Sequence, residues 1–110
     1  MSDAPLVSVI LPVYNGARFL AESLESAVAQ TYPQIEIVMM DDGSKDESAS
    51  IGQAFPRVLY FYQENGGIAA ARNAAIALAH GELLAFLDHD DLWAPNKIEL
   101  QVAYCKRTRT

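Results

Sequence analysis

Ile35-Glu36-Ile37-Val38-Met39-Met40-Asp41-Asp42-Gly43-Ser44 is the stretch that decides the fold. Six residues, all but one apolar, run into two acids and a glycine. A strand buried on both faces of a parallel sheet has this near-continuous apolar character. Acids at the carboxyl end of such a strand sit where open α/β sheets bind ligands. The pattern returns downstream, where Leu83-Leu84-Ala85-Phe86-Leu87 runs into Asp88-His89-Asp90-Asp91. A cluster of like charges repels itself unless a cation or a hydrogen-donating ligand arrives, so the spacing directs attention to a metal ion and a nucleotide.

Outward from that stretch, strand and helix signals alternate. Val7-Ser8-Val9-Ile10-Leu11 reads as a short β-branched strand ended by Pro12. Leu20, Leu24, Ala27 and Val28 recur at helical spacing, and Pro33 marks the following turn. Ser44 and Glu47 fit a capping box for a short helix carrying Ala49, Ile51 and Ala54. Val58 to Tyr62 is a third strand. Asn65-Gly66-Gly67 is a turn that opens an alanine-rich helix from Ile68 to Ala79, closed by Gly81. Pro95 suits the first position of a last helix with Ile98, Val102 and Cys105 near one face. The order βαβαβαβα predicts one α/β domain over residues 1–110. Its open parallel sheet has about four strands in the order 3-2-1-4, Rossmann-like, with helices on both faces. That order gathers the ends of strands one, two and four around one crevice.

The bulk numbers narrow the function classes. The chain has 110 residues and a net charge of −6, which argues against a nucleic-acid partner because that partner needs a basic footprint. The basic tail Lys106-Arg107-Thr108-Arg109 reads as a solubilising terminus. With one cysteine, Cys105, no internal disulfide can form, and the thiol reads as a packed spectator. Met1-Ser2-Asp3-Ala4-Pro5 lacks a basic region and a long apolar stretch, and no apolar run reaches membrane-span length, so the expected location is the cytoplasm.

Asp88 and Asp90 stand two apart, so both carboxylates can project to one side as a hard oxygen site for Mg²⁺ or Mn²⁺. His89 between them points the other way and reads as a supporting residue. A solvated turn with Asp91 capping a helix accounts for the same spacing. Asp41 and Asp42 can accept from a base N–H or a ribose hydroxyl, with Gly43 allowing a sharp turn, although an Asx turn without a ligand also suits them. Pro12-Val13-Tyr14-Asn15 can offer main-chain groups and a ring to a base, or form an ordinary strand-to-helix turn. Arg72 can face a phosphate or solvent, and Asn73, a poor interior helix residue, is expected to make a specific hydrogen bond. Gly67 places backbone N–H groups at a helix start, where anions are favoured. Neither the dinucleotide fingerprint nor a P-loop occurs.

Taken together, four segments resemble the nucleotide-binding half of family-2 glycosyltransferases with the GT-A fold. They are Val7 to Asn15; Ile37 to Ser44; Asn65-Gly66-Gly67 with Ala71-Arg72-Asn73; and Phe86 to Asp91 with Trp93 and Pro95. They stand in the family's order and cover essentially the whole chain. The resemblance implies a nucleotide-diphospho-sugar donor, with a UDP-sugar favoured, and an inverting transfer to a carbohydrate or lipid-linked acceptor. It implies that Pro12, Val13, Tyr14 and Asn15 hold the base, that Asp42 accepts from it with Asp41 in support, and that Gly67, Arg72, Asp88 and His89 complete the nucleotide site. Asp88-His89-Asp90 looks like the DxD signature, with Asp90 the leading metal ligand and Asp88 near ribose or metal. The resemblance places the acceptor half and the catalytic base beyond Thr110, so the chain reads as a donor-binding part that is inactive alone. It also allows a parent protein peripheral to the membrane, and cell-wall or polysaccharide biosynthesis as its setting. A non-catalytic nucleotide-binding or assembly module is the alternative. An unpaired edge at the fourth strand would invite a homo-oligomer.

Overall fold

The computed structural model describes residues 4–107; Met1 to Asp3 of the N-terminal segment, and Thr108 and Arg109 of the basic tail, lie outside the described residues. Four strands and four helices alternate: β1 (Val7–Val13), α1 (Ala17–Val28), β2 (Ile35–Asp41), α2 (Ser48–Gln53), β3 (Val58–Tyr62), α3 (Ile68–Leu78), β4 (Leu83–Phe86) and α4 (Lys97–Arg107). The strands form one parallel sheet in the order β3-β2-β1-β4, as the apolar pattern predicts. No helix among the described residues is long and apolar enough to cross a membrane.

The pleat sorts β1 and β2 onto two cores. Val9, Leu11, Val13, Ile37 and Met39 pack with Leu20, Leu24 and Ala27 of α1. Ile10, Val38 and Met40 face the other way, against Ala71 and Ala75 of α3. Small side chains on α3 let that helix lie close to the sheet. A third cluster, Val7, Ala85, Ile98 and Val102, seats α4 beside the start of β4.

Several local expectations are corrected. Pro12 does not end β1, which continues to Val13 and pairs Pro12 with Met40. The carbonyl of Ile10 accepts from Leu87 N and that of Val13 accepts from Asp42 N, so alternate residues bond to opposite neighbours. Pro12 therefore turns its missing donor toward the β4 side, where the ladder has already stopped at Ile10 and Phe86. The capping box at Ser44 does not form. Helix α2 starts later, at Ser48, whose N–H donates to Asp46 Oδ1, while Ser44 Oγ is engaged by Asn15 N. Gly81 is not a left-handed helix cap: α3 stops at Leu78, Ala79 is extended, and Gly81 N donates to Ser8 Oγ at 2.8 Å. Pro95 precedes α4 rather than opening it, and its carbonyl accepts from Thr31 N at 2.8 Å.

Candidate functional site

Four loops leave the carboxyl ends of the strands, and hydrogen bonds lace them together. The β1–α1 turn is fixed first. Asn15 adopts a left-handed conformation, φ 50°, donates its N–H to Ser44 Oγ at 2.9 Å, and accepts from Lys45 N at 2.8 Å through Oδ1. The opening N–H groups of α1 are capped across the chain, Gly16 N by Ser48 Oγ at 3.0 Å and Ala17 N by Asp46 Oδ2 at 3.1 Å. That end of α1 therefore has donors already committed to protein groups. Burial pushes the Asp46 carboxyl upward, and its hydrogen bonds from Ser48 and Ala17 outweigh this and hold it below the ordinary range.

Asp41 and Asp42 leave β2 on opposite faces. Asp41 accepts from Tyr60 Oη at 2.6 Å and from Ser44 N at 2.8 Å, closing the turn after β2. Burial and then this carboxylate push the Tyr60 phenol well above its usual range, so Tyr60 remains a donor. Asp42, 1% exposed, has both oxygens engaged. Oδ1 accepts from Gln63 Nε2 at 2.8 Å and Gly66 N at 2.9 Å; Oδ2 accepts from Gly67 N at 2.9 Å and Asn65 Nδ2 at 3.3 Å. Burial pushes the carboxyl up, and the donors from Gln63, Gly66 and Gly67 outweigh it, leaving the pKa lowered. Asp42 thus organises the Asn65-Gly66-Gly67 turn at the start of α3. The N–H groups of Gly66 and Gly67 point at Asp42.

The acidic loop after β4 lies on the other side of β1. The His89 ring rests against Gly16, close enough that a β-carbon there would sit 2.7 Å from it, and His89 is half-buried as its spacing predicts. Asp88, Asp90 and Asp91 are exposed. Asp91 N donates to the Asp88 carbonyl at 3.0 Å, which makes the segment a turn. Among the described residues Asp90 makes no side-chain hydrogen bond or ion pair, and no group of three or more His, Cys, Asp or Glu is arranged to hold a metal. Magnesium-type ions are commonly held by one or two carboxylates with substrate phosphates completing the shell. An exposed, uncommitted Asp90 beside Asp88 fits that donor set.

Pro12 and Val13 are buried in β1, the Val13 carbonyl accepts from Asp42 N at 2.8 Å, and the Tyr14 ring just beyond them is half-exposed. The Arg72 guanidinium lies 5.8 Å from the centre of the Phe86 ring, its Nε buried without a hydrogen-bond partner. Asn73 is exposed and makes no side-chain hydrogen bond among the described residues, contrary to the expectation from its helix position. An apolar concavity of about 410 Å³ lies elsewhere, between the edge of β4 and α4, and is lined by Val7, Leu83, Leu84, Ile98, Val102 and Tyr104 among others. Sequence reasoning missed Gln63, Ser44, Asp46, Ser48 and Tyr60, because a polar residue's long-range partner leaves no periodic mark in the chain.

Comparison with known proteins agrees with this fold. The model of the glycosyl transferase family 2 matches residues 8–110. An uncharacterized glycosyltransferase of Rickettsia typhi is 50% identical over 100 residues, covering 90% of this chain and 31% of the relative. TuaG of Bacillus subtilis, a glycosyltransferase named for teichuronic acid biosynthesis, is 37% identical over 105 residues, covering 91% and 42%. Among solved structures, S. aureus TarS 1–349 in complex with UDP superposes with a TM-score of 0.88 at 28% identity, covering 93% of this chain and 32% of that one. The mannosyltransferase PcManGT of Pyrobaculum calidifontis, in complex with GDP-Man and Mn²⁺, superposes at 0.74 with 33% identity, covering 91% and 31%. The chain thus spans about a third of the length of most of these relatives. Because the family model matches residues 8–110, nearly the whole chain, the chain belongs to glycosyl transferase family 2.

Proposed function

We propose that this chain binds a nucleotide-diphospho-sugar donor, with a UDP-sugar favoured, at the carboxyl ends of β1, β2 and β4, for inverting transfer to an acceptor hydroxyl. The observation that carries it is the exposed, uncommitted Asp90 beside Asp88, on a loop held next to the β1 turn by the contact of His89 with Gly16. Relatives with the same fold are in complex with UDP, and with GDP-Man and Mn²⁺. In this reading the Pro12 carbonyl and the Tyr14 ring receive the base, and Val13, whose carbonyl is taken by Asp42 N, fixes the strand end beneath it. Asp42, supported by Asp41, accepts from the base N–H by exchanging its longest bond, that from Asn65 at 3.3 Å. Asn15 and Gly67 hold the turns on either side. Arg72, with one donor unpaired, faces a phosphate, and Asp88 and His89 flank the ribose and diphosphate. Asp90 and Asp88 would hold Mg²⁺ or Mn²⁺, which when bound neutralises charge on a leaving diphosphate. The acceptor is a carbohydrate or a lipid-linked sugar, and the base that deprotonates it is assigned to no residue described here. The setting is cell-wall or polysaccharide synthesis, in the cytoplasm or peripherally at the inner face of the membrane.

Calorimetric titration with UDP tests this. Binding should strengthen when Mn²⁺ is added, and Asp90→Ala should remove that increment while leaving weak metal-free binding intact. Binding indifferent to both the ion and Asp90 overturns the assignment. GDP and TDP, titrated in parallel, test the preference for uracil.

The open edge of β4 carries a second expectation, self-association. Among the described residues β4 pairs with β1 alone, and Leu84 and Phe86 are 42% and 51% exposed. Among the described residues the adjoining groove is lined by no charged side chain, so two copies of a −6 chain can meet there without opposing like charges from its lining. Light scattering should show mass rising with concentration, and Leu84→Lys should abolish the rise. A constant monomer mass over a hundredfold range rejects the interface.

A further inference from the structure

The acidic loop is held by polar groups on α1 and on the residues just after it. Between the end of β4 and the start of α4 the chain has no helix or strand, so its backbone groups need other partners. They find them on one side of α1 and the residues just after it. Ser23 Oγ donates to the His89 carbonyl at 2.8 Å. Trp93 N donates to Ser26 Oγ at 3.2 Å. Gln30 donates through Nε2 to the Ala94 carbonyl at 2.7 Å and accepts from Ile98 N at 2.9 Å through Oε1. The Pro95 carbonyl is taken by Thr31 N.

Ser23 is fully buried and Gln30 is 9% exposed. A buried polar side chain costs stability unless it is hydrogen-bonded, and an alanine or leucine on this face would pack without that requirement. Apart from one bond from Gln30 back to the Ser26 carbonyl, the partners of these two side chains are backbone atoms of the segment that carries Asp88 and Asp90. Ser23 on α1 meets that segment near its beginning, and Gln30, two residues past the end of α1, meets it near its end. We propose that Ser23 and Gln30 are positioning residues: they fix the course of residues 89–98 and so set where the carboxylates of Asp88 and Asp90 stand. This rests on the reading of those two acids as the metal and diphosphate site. A displacement of about 1 Å at a reacting site can cost up to about a hundredfold. Loss of one anchor from an already exposed loop should have a smaller effect, about tenfold.

Ser23→Ala, which deletes a single oxygen, and Gln30→Leu, which keeps the volume, test the proposal in the 110-residue chain. Amide hydrogen exchange over residues 89–94 should accelerate in both variants while β1 and β2 stay protected. UDP affinity in the presence of Mn²⁺ should fall about tenfold, with metal-free UDP binding unchanged. A merely structural role would lower the melting temperature and leave the Mn²⁺-dependent part of binding as in the unsubstituted chain. If Asp90→Ala removes the Mn²⁺ increment but both variants keep it, the positioning role is overturned and the donor site stands. If Asp90→Ala changes nothing, the donor-site reading fails and takes the role of Ser23 and Gln30 with it.

Discussion

Asp42→Ala is expected to destabilise the protein by about 3 kcal/mol in urea unfolding. Buried donors stripped of their acceptor cost about 1–3 kcal/mol each, and a loop free to move toward water recovers part of that. Four donors converge on this carboxylate, from Gln63, Asn65, Gly66 and Gly67. The two glycines are exposed and can turn to solvent, whereas Gln63 is half-buried. The loss is large against the about 5–15 kcal/mol that typically holds a domain folded.

The same carboxylate gives the stability a pH dependence of definite sign. The folded-state pKa of Asp42 lies below its ordinary value, as do those of Asp46 and Glu36. For Glu36 burial pushes up, and hydrogen bonds from His80 and Ser8 outweigh it. Groups depressed in this way add stability above their unfolded pKa, about 4 for carboxylates, and lose it as pH falls through the folded value. The melting temperature should therefore drop as pH is lowered from about 5 toward 3, and Asp42→Ala should flatten part of that slope. An unchanged slope in the variant would mean that the four bonds do not favour the ionised form.

Gly43→Ala should cost about as much, about 3 kcal/mol, for two separable reasons. Gly43 has φ 83°, where a side chain costs about 1–2 kcal/mol. Its β-carbon would also lie 2.8 Å from Asn65 N, a backbone atom that cannot rotate away, and overpacking of that kind adds about 1–3 kcal/mol. Gly67 separates the two terms. Its φ of 99° with ψ 160° lies in a region essentially restricted to glycine, costing about 1–3 kcal/mol, and an added β-carbon would meet nothing within 4 Å, so Gly67→Ala should show a conformational cost alone, about 2 kcal/mol. Equal losses at the two positions would show that the approach of the 43 and 65 turns is looser than this structure has it.

Both predictions concern the meeting of loops that are more than twenty residues apart in the chain, and there the reach of sequence reading ends. The element order, the parallel sheet and the 3-2-1-4 arrangement were legible. Val7 to Leu11 and Ile35 to Met40 are runs apolar at all but one position each, bounded by turn residues, and such near-continuous runs fit a sheet covered on both faces. The parallel topology also puts the turns after β2 and β4 at the same end of the sheet. Boundaries were less legible where a residue's behaviour depends on its neighbour in space. Pro12 stays in a central strand because β4 has ended beside it.

The sequence by itself determined which strands lie at the centre, that helices cover both faces, and which strand ends carry acids, because burial imposes periods of two and 3.6 that can be read residue by residue. Tertiary structure alone decided what those acids do. It committed Asp42 to a turn 23–25 residues away and left Asp90 uncommitted, and it tied the acidic loop to Ser23 and Gln30 across 64 to 68 residues. A hydrogen bond depends on distance and direction in space, and nothing periodic in the chain records a partner so far along it.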